Sequence, residues 1–343
     1  MTATKRIAFL GLGVMGAPMA GHLARRGHRV TAYNRTTSRA EAWRDRQAAE
    51  GLADVATAAT PAEAAAGQDV VIACVGNDDD LAQVVLGEGG ALAAMQPGAL
   101  FIDHTTVSPA IARRIADEAA GHDLLALDAP VSGGQAGAES GRLAIMCGGN
   151  VQAMDSARPV MEAYGARIVH IGAAGAGQAC KAVNQICIAG VLAGLSEGVR
   201  FARGAGLDLD KVLEAISGGA AQSWQMENRW ATMAAGEFDF GFAIDWMRKD
   251  LAIALGEAEK MRLDMPVTAL VDEFYAEVQA KGGARQDTSA LIRHLPQVEA
   301  CSAASSWPWR CCCRRPLWPT RWSTTSTASR SSATAASDAS PRW

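Results

Sequence analysis

The chain is notable first for what it lacks. No run of about eighteen or more consecutive apolar residues occurs, so no transmembrane helix is expected and a membrane is not an expected partner. Charge of neither sign dominates: 32 lysines and arginines face 36 aspartates and glutamates, a formal net charge of −4 over 343 residues. That balance leaves no basic footprint for nucleic acid or for an anionic lipid surface. The opening Met1-Thr2-Ala3-Thr4-Lys5-Arg6 has neither the apolar core nor the small-residue cleavage site of a signal peptide, and reads as a cytoplasmic start. Cysteine pairs with zinc or CxxC spacing are missing from the main body. Cys74, Cys147, Cys180 and Cys187 are scattered through apolar stretches and are expected as buried free thiols of a reducing compartment, with no metal. The remaining composition, 49% hydrophobic and 20% charged, is that of a globular chain, and the length suggests about two domains.

The end of the chain lacks more still. Residues 301–343 contain no Gly, Val, Ile, Met, Phe, Tyr, Lys or Glu, yet hold five of the nine tryptophans and four of the eight cysteines. No periodic apolar face can be drawn through them. The stretch 297–343 reads like an out-of-frame translation of GC-rich DNA and is expected to be a disordered tail outside the fold. Thiolates bind soft metals, but three adjacent cysteines, Cys311-Cys312-Cys313, cannot surround one tetrahedral centre without strain, and no histidine is near.

Against these absences the first half carries a strong positive signal. The short strand-forming run Lys5–Leu10 leads directly into Gly11-Leu12-Gly13-Val14-Met15-Gly16, and then into a segment with helical spacing from Ala17. A GxGxxG alone is weak, but between a strand and a helix it has a mechanism. The first glycine permits the tight turn, the second lets the backbone approach a pyrophosphate, and the third lets helix and strand pack closely. The helix N-terminus then offers N–H donors and its positive dipole end.

The next strand, His28–Tyr33, ends in Asn34-Arg35-Thr36. An NAD site usually places an acid here, roughly 20 residues past the glycines, to accept from the ribose 2′-hydroxyl. This chain offers a neutral amide, a guanidinium and a hydroxyl instead. A guanidinium suits a 2′-phosphate, so the expected cofactor is NADP in preference to NAD. Further strands are read at Val70–Val75, Leu100–Thr106, Leu124–Ala129 and Leu143–Cys147, with Ser108-Pro109 opening a helix as cap and first residue. Strands alternating with helices predict a doubly wound parallel sheet with ligands at the strand C-terminal ends.

Four motifs stand in order: Gly11–Gly16, Asp128-Ala-Pro-Val-Ser-Gly-Gly134, Gly175-Ala-Gly-Gln-Ala-Cys-Lys181-Ala-Val-Asn184-Gln185, and Lys249-Asp250-Leu251. Together, over about residues 5–295, they resemble the β-hydroxyacid dehydrogenase family. That family includes 3-hydroxyisobutyrate dehydrogenase, tartronate semialdehyde reductase and the glyoxylate/succinic semialdehyde reductases. The resemblance implies a Rossmann-type α/β domain over 1–172, an all-helical domain over 173–296, and a homodimer or homotetramer. It further implies hydride transfer between nicotinamide and a short 3-hydroxy acid/semialdehyde pair.

Site residues follow from the same resemblance. Ser132, Gly133 and Gly134 would bind the substrate carboxylate, and a concave set of backbone N–H groups with a hydroxyl does suit an anion. Lys181 matches the catalytic lysine. If it is desolvated in a cleft rather than solvated, its pKa falls and it becomes a usable acid/base near neutral pH. Asn184, three residues on and on the same helical face, would orient the substrate hydroxyl. Gln185 departs from the double-asparagine form of many relatives, which leaves the substrate open. Thr106 and Lys249 match positions by the nicotinamide. His104, beside a strand end, reads as structural more than catalytic. The alternatives are an imine reductase, which usually replaces the lysine and lacks the serine-glycine motif, and a non-catalytic cofactor-binding relative, which would lose the lysine. A 6-phosphogluconate dehydrogenase would need a longer helical domain.

Overall fold

The computed structural model describes residues 3–296. The tail from 297, with its expected disorder and its Cys311–Cys313 run, lies outside the described residues. Strand β1 (Arg6–Leu10) is followed by α1 (Gly16–Arg25), β2 (Arg29–Tyr33), α2 (Thr37–Ala49), β3 (Val55–Thr57) and α3 (Pro61–Ala65). Then come β4 (Val70–Ala73), α4 (Asp78–Leu86), β5 (Leu100–Asp103), α5 (Pro109–Gly121) and β6 (Leu125–Asp128). The sheet half closes with β7 (Val131–Ser132), α6 (Gly134–Glu139), β8 (Leu143–Gly149), α7 (Val151–Met161) and β9 (Gly165–Gly172). The remainder is helical: α8 (Ala176–Gly204), α9 (Leu209–Ile216), α10 (Trp224–Ala235), α11 (Ile244–Lys260) and α12 (Pro266–Val278).

The strands pair in the order β3-β2-β1-β4-β5-β6-β8-β7, with β9 on β8. Through β6 every pairing is parallel. Successive side chains leave opposite faces, and both faces are covered. Ile7, Phe9, Val70 and Ile72 enter one apolar core, while Ala8, Leu10, Val71 and Ala73 enter the other. Continuous apolar runs are the mark of such doubly covered parallel strands. One correction applies to the expectation of a parallel sheet: β8 runs antiparallel to β6, and β7 antiparallel to β8.

Two expected strands stop early. Val70–Val75 ends at Ala73, and Leu100–Thr106 ends at Asp103. At the second of these the Asp103 carboxylate accepts the Thr105 N–H at 2.9 Å, a local side-chain bond that turns the chain out of the ladder. Ser108 caps α5 as expected, its hydroxyl accepting the Ile111 N–H at 3.2 Å.

Helix α8 spans 29 residues and, against the sequence expectation, is long and apolar enough by length and composition alone to cross a membrane. Here it is the spine of the helical half. Leu192, Leu195 and Val199 share a core with Trp230, Leu251 and Tyr275 of α10, α11 and α12. Trp230 and Phe238 are buried, while Trp224, Phe240 and Trp246 remain exposed. The four body cysteines are free thiols, but Cys187 is exposed, and only Cys147 among them is fully buried. An apolar setting had suggested burial for all four. On a helix, however, burial depends on the face, and Cys187 falls on the outer one.

Candidate active site

The glycine turn between β1 and α1 has the close contacts its pattern demands. Gly11 has φ +101°, and a Cβ there would lie 2.2 Å from the Cys74 carbonyl oxygen. At Gly16 a Cβ would lie 2.0 Å from the Gly11 carbonyl oxygen, so α1 approaches the turn as closely as backbone allows. Gly13 is the opposite case: nothing stands within 4 Å of a Cβ built on it. Its glycine is therefore not required by the protein's own packing, and the space beside it is open. Val14 beside it is exposed, Leu12 is buried, and Met15 is half-buried. An open face on a glycine turn at a helix N-terminus fits a pyrophosphate.

Asn34, at the end of β2, serves this turn. Its Oδ1 accepts the Leu12 N–H at 3.0 Å, and its Nδ2 donates to the Thr36 carbonyl at 3.1 Å. The amide thus ties the glycine turn to the β2–α2 connection. Thr36 opens α2 with its hydroxyl unbonded and exposed. Arg35 is exposed as well, but it is not idle: its guanidinium meets the Asp80 carboxylate of α4 at 2.9 Å. That partner lies 45 residues away and was not foreseen.

The lysine cluster lies where α8 and α11 meet the C-terminal ends of β4, β5 and β6. Lys181 is 7% exposed, and burial pulls its amine from the ordinary 10.5 down to about 8. The Asp250 carboxylate opposes that fall and the Lys249 ammonium adds to it. Lys249 Nζ donates to the carbonyls of Thr106 at 2.5 Å and Gly76 at 3.2 Å, and stands 3.1 Å from Asp250 Oδ1. The other oxygen of Asp250 accepts from Gln185 Nε2 at 2.7 Å, and Gln185 Oε1 accepts from Asn184 Nδ2 at 2.8 Å. Hydrogen bonds thus join Asn184, Gln185 and Asp250, and separately Lys249 and Thr106, and the two sets meet beside Lys181 through the Asp250–Lys249 ion pair. Asn184 keeps its second amide hydrogen and its carbonyl oxygen free of protein partners among the described residues.

Ser132 ends β7, and Gly133 and Gly134, with φ of +129° and +59°, turn the chain into α6. The two glycines are exposed, and none of the three is hydrogen-bonded to the lysine cluster. Residues that sequence reasoning missed hold the cluster in place. Asp128, 5% exposed, accepts the N–H groups of Gly175 at 2.7 Å and Gln178 at 2.9 Å, capping α8 from β6. Burial raises its carboxyl above the usual range, and the backbone donors work against that. Asp250, next to Lys249 on α11, is buried as well. His104 turns into the core: Nδ1 pairs with the Ala129 carbonyl at 2.6 Å and Nε2 with the Tyr164 hydroxyl at 2.8 Å. Burial lowers its pKa to about 4, so it is a neutral structural imidazole.

A dinucleotide turn at the C-terminal end of β1 and a desolvated lysine beside the C-terminal ends of β4, β5 and β6 define a nicotinamide-dependent oxidoreductase. Comparison with known proteins agrees. Residues 6–172 match the NAD-binding domain of 6-phosphogluconate dehydrogenase, and residues 175–295 match the NAD-binding domain of NADP-dependent 3-hydroxyisobutyrate dehydrogenase. An oxidoreductase of Shewanella frigidimarina is 57% identical over 290 residues, 84% of this chain and 98% of that one. The 2-hydroxy-3-oxopropionate reductase of Escherichia coli is 37% identical over 292 residues, 84% of this chain and 97% of its own. Among solved structures, 3-hydroxyisobutyrate dehydrogenase of Mycobacterium tuberculosis with L-serine superposes with a TM-score of 0.76 at 34% identity, covering 85% of this chain and 99% of that one. The chain belongs to the 3-hydroxyisobutyrate dehydrogenase family, the β-hydroxyacid dehydrogenases.

Proposed function

We propose that this protein interconverts a short 3-hydroxy carboxylate and its semialdehyde, with NADP preferred over NAD and Lys181 as the acid/base. The observation that carries the reading is Lys181 itself: a buried amine with a pKa of about 8, on a helix start fixed by Asp128 and facing the Asp250–Lys249 pair. A pKa near the working pH lets one group both give and take a proton.

A nicotinamide cofactor bound at the glycine turn would supply or accept the hydride. The chain's own residues do the rest. The N–H groups of Gly13, Val14, Met15 and Gly16 would hold the pyrophosphate, with Gly11 making the turn and the Leu12 N–H, expected as a further donor, spent instead on Asn34. Arg35 and the Thr36 hydroxyl would hold a 2′-phosphate, and Asn34 ties that corner to the glycine turn. Lys249 holds the Thr106 carbonyl and so fixes the β5 exit by the nicotinamide. Ser132, Gly133 and Gly134 take the substrate carboxylate. In reduction the Lys181 ammonium would donate its proton to the substrate carbonyl oxygen, and in oxidation the neutral amine would remove the hydroxyl proton. Asn184 presents its free amide hydrogen to the same oxygen. The protein works as a homodimer or homotetramer, a reading supported by exposed Val183, Val191 and Phe201 on α8.

The test is oxidation of NADPH and of NADH with methylmalonate, succinic and tartronate semialdehydes and with glyoxylate. Wild type should turn over at least one of the four, faster with NADPH, and Lys181→Ala none. Cofactor binding without turnover on any of them would end the semialdehyde reading.

A further inference from the structure

Gln178 has no part in the chemistry described above, yet it is 1% exposed and both ends of its side chain are engaged. Its Nε2 donates to the Thr105 carbonyl at 2.7 Å, and its Oε1 accepts the Val107 N–H at 3.1 Å. Its backbone N–H goes to Asp128. Helix α8 has no side-chain cap of its own at Gly175, so its first turn is gripped twice. The β6 carboxylate holds its backbone, and through Gln178 it holds the segment leaving β5.

The placement matters more than the bonds. Gln178 stands three residues before Lys181, nearly one turn away on neighbouring positions of the helix surface. Between the two backbone groups it holds lies Thr106, whose carbonyl accepts from Lys249. The Thr105–Val107 segment is thus pinned from α8 on one side and from α11 on the other. Removing the carboxamide would leave the Thr105 carbonyl and the Val107 N–H buried and unpaired. A buried group without a partner is costly, so the segment would shift to find new ones. Any shift there changes the spacing between Thr106 and Lys181, and it reaches the glycine turn at β1 only at second hand, through the Thr105 hydroxyl that accepts the Val75 N–H at 3.0 Å.

We infer that Gln178 is a positioning residue for the reaction: it sets the distance between the Lys181 helix and the Thr105–Val107 segment. The inference rests on the roles proposed above for Lys181 and Thr106. Its test compares wild type, Gln178→Met and Gln178→Glu in the full chain. NADPH binding is followed by fluorescence titration, turnover with whichever of the four aldehydes wild type reduces, and amide hydrogen exchange at Val107. Methionine keeps the length but neither bond. Its kcat should fall about 10- to 100-fold, in line with the effect of an ångström-scale misplacement. NADPH affinity should fall far less than kcat, because the pyrophosphate donors sit on the β1 turn, which Asn34 holds independently of this segment. Exchange at Val107 should quicken. Glutamate supplies the test that stability alone cannot mimic. Ionised, it cannot donate to the Thr105 carbonyl; protonated, it can. Burial raises a carboxyl's pKa, so kcat of Gln178→Glu relative to wild type should climb as pH is lowered, and Gln178→Met should show no such recovery. Unchanged kcat in Gln178→Met, or unchanged Val107 exchange, would overturn the inference. So would a loss that falls equally on NADPH affinity and turnover. If wild type reduces none of the aldehydes, the functional reading fails, and the Val107 exchange result decides on its own whether the clamp exists.

Discussion

Replacing Lys181 by methionine should make the protein inert and more stable. The amine is buried, and its pKa drops from 10.5 to about 8. At about 1.4 kcal/mol per pH unit, that gap is roughly 3 kcal/mol of extra cost for carrying the charge in the folded state. The direction follows from proton counting. Between about 8 and 10.5 the unfolded chain holds more protons at this position than the folded one, so stability should rise with pH across that window. Below about 8 the cost is present in full. Methionine keeps the stem and its packing but carries no charge. Losing the attraction to Asp250 offsets part of the gain, though Asp250 keeps Lys249 at 3.1 Å. Counting half the figure, roughly 1.5 kcal/mol, Tm should rise about 3–6 °C for a domain of this size. Differential scanning calorimetry of the cofactor-free proteins at neutral pH and near pH 10 is the assay. The difference should be largest at neutral pH and shrink at high pH. A variant less stable than wild type at neutral pH, or a gain that does not change with pH, would refute the reasoning.

Three other expectations can be checked on the same protein. Gly13→Ala should fold with unchanged Tm, since no atom lies within 4 Å of the added carbon, yet lose NADPH affinity in a titration. Gly16→Ala, facing a 2.0 Å contact, should lose both. With Arg35 in its proposed 2′-phosphate role, its ion pair with Asp80 would compete for the guanidinium, so Asp80→Asn should tighten NADPH about 2- to 5-fold, the range of an exposed pair, without changing NADH. Arg35→Ala should weaken NADPH alone, and equal effects on both cofactors would count against a 2′-phosphate role. His104→Phe should keep kcat within about twofold while losing roughly 1–3 kcal/mol of stability in denaturant titration, because the Ala129 carbonyl and Tyr164 hydroxyl lose their partner.

Much of this was legible in the chain. The helices of the second half announce their ends with Gly204-Ala205-Gly206 and Gly218-Gly219, and their apolar spacing does the rest. Helix α8 ends at the first of these, at Gly204, and α9 ends at Ile216, just before the second. Strand β9 escaped notice because its side chains are only half-buried or exposed, which leaves no continuous apolar run. Strand β3, with three residues, is too short to show a period. The direction of β8 is set by what it pairs with, and that is not written in its residues. At the site the glycines and Lys181 were readable because local geometry or burial constrains them. Their partners were not. Asp128 acts on residues 47 and 50 positions away, Gln178 on a segment 73 away, and Asp250 on a side chain 65 away. Such pairings exist only once the sheet and helices have met.

The central claim is that Lys181 gives and takes the proton. The most direct measurement is the pH dependence of NADPH-driven reduction of a semialdehyde by wild type and by Lys181→Ala. Reduction by this route needs the ammonium, so wild-type kcat/KM should be level on the acid side and fall as pH rises through about 8. Oxidation of the matching 3-hydroxy acid should rise through the same value, and Lys181→Ala should show neither limb and almost no rate. A Lys181→Ala variant that keeps the wild-type rate and profile would contradict the account.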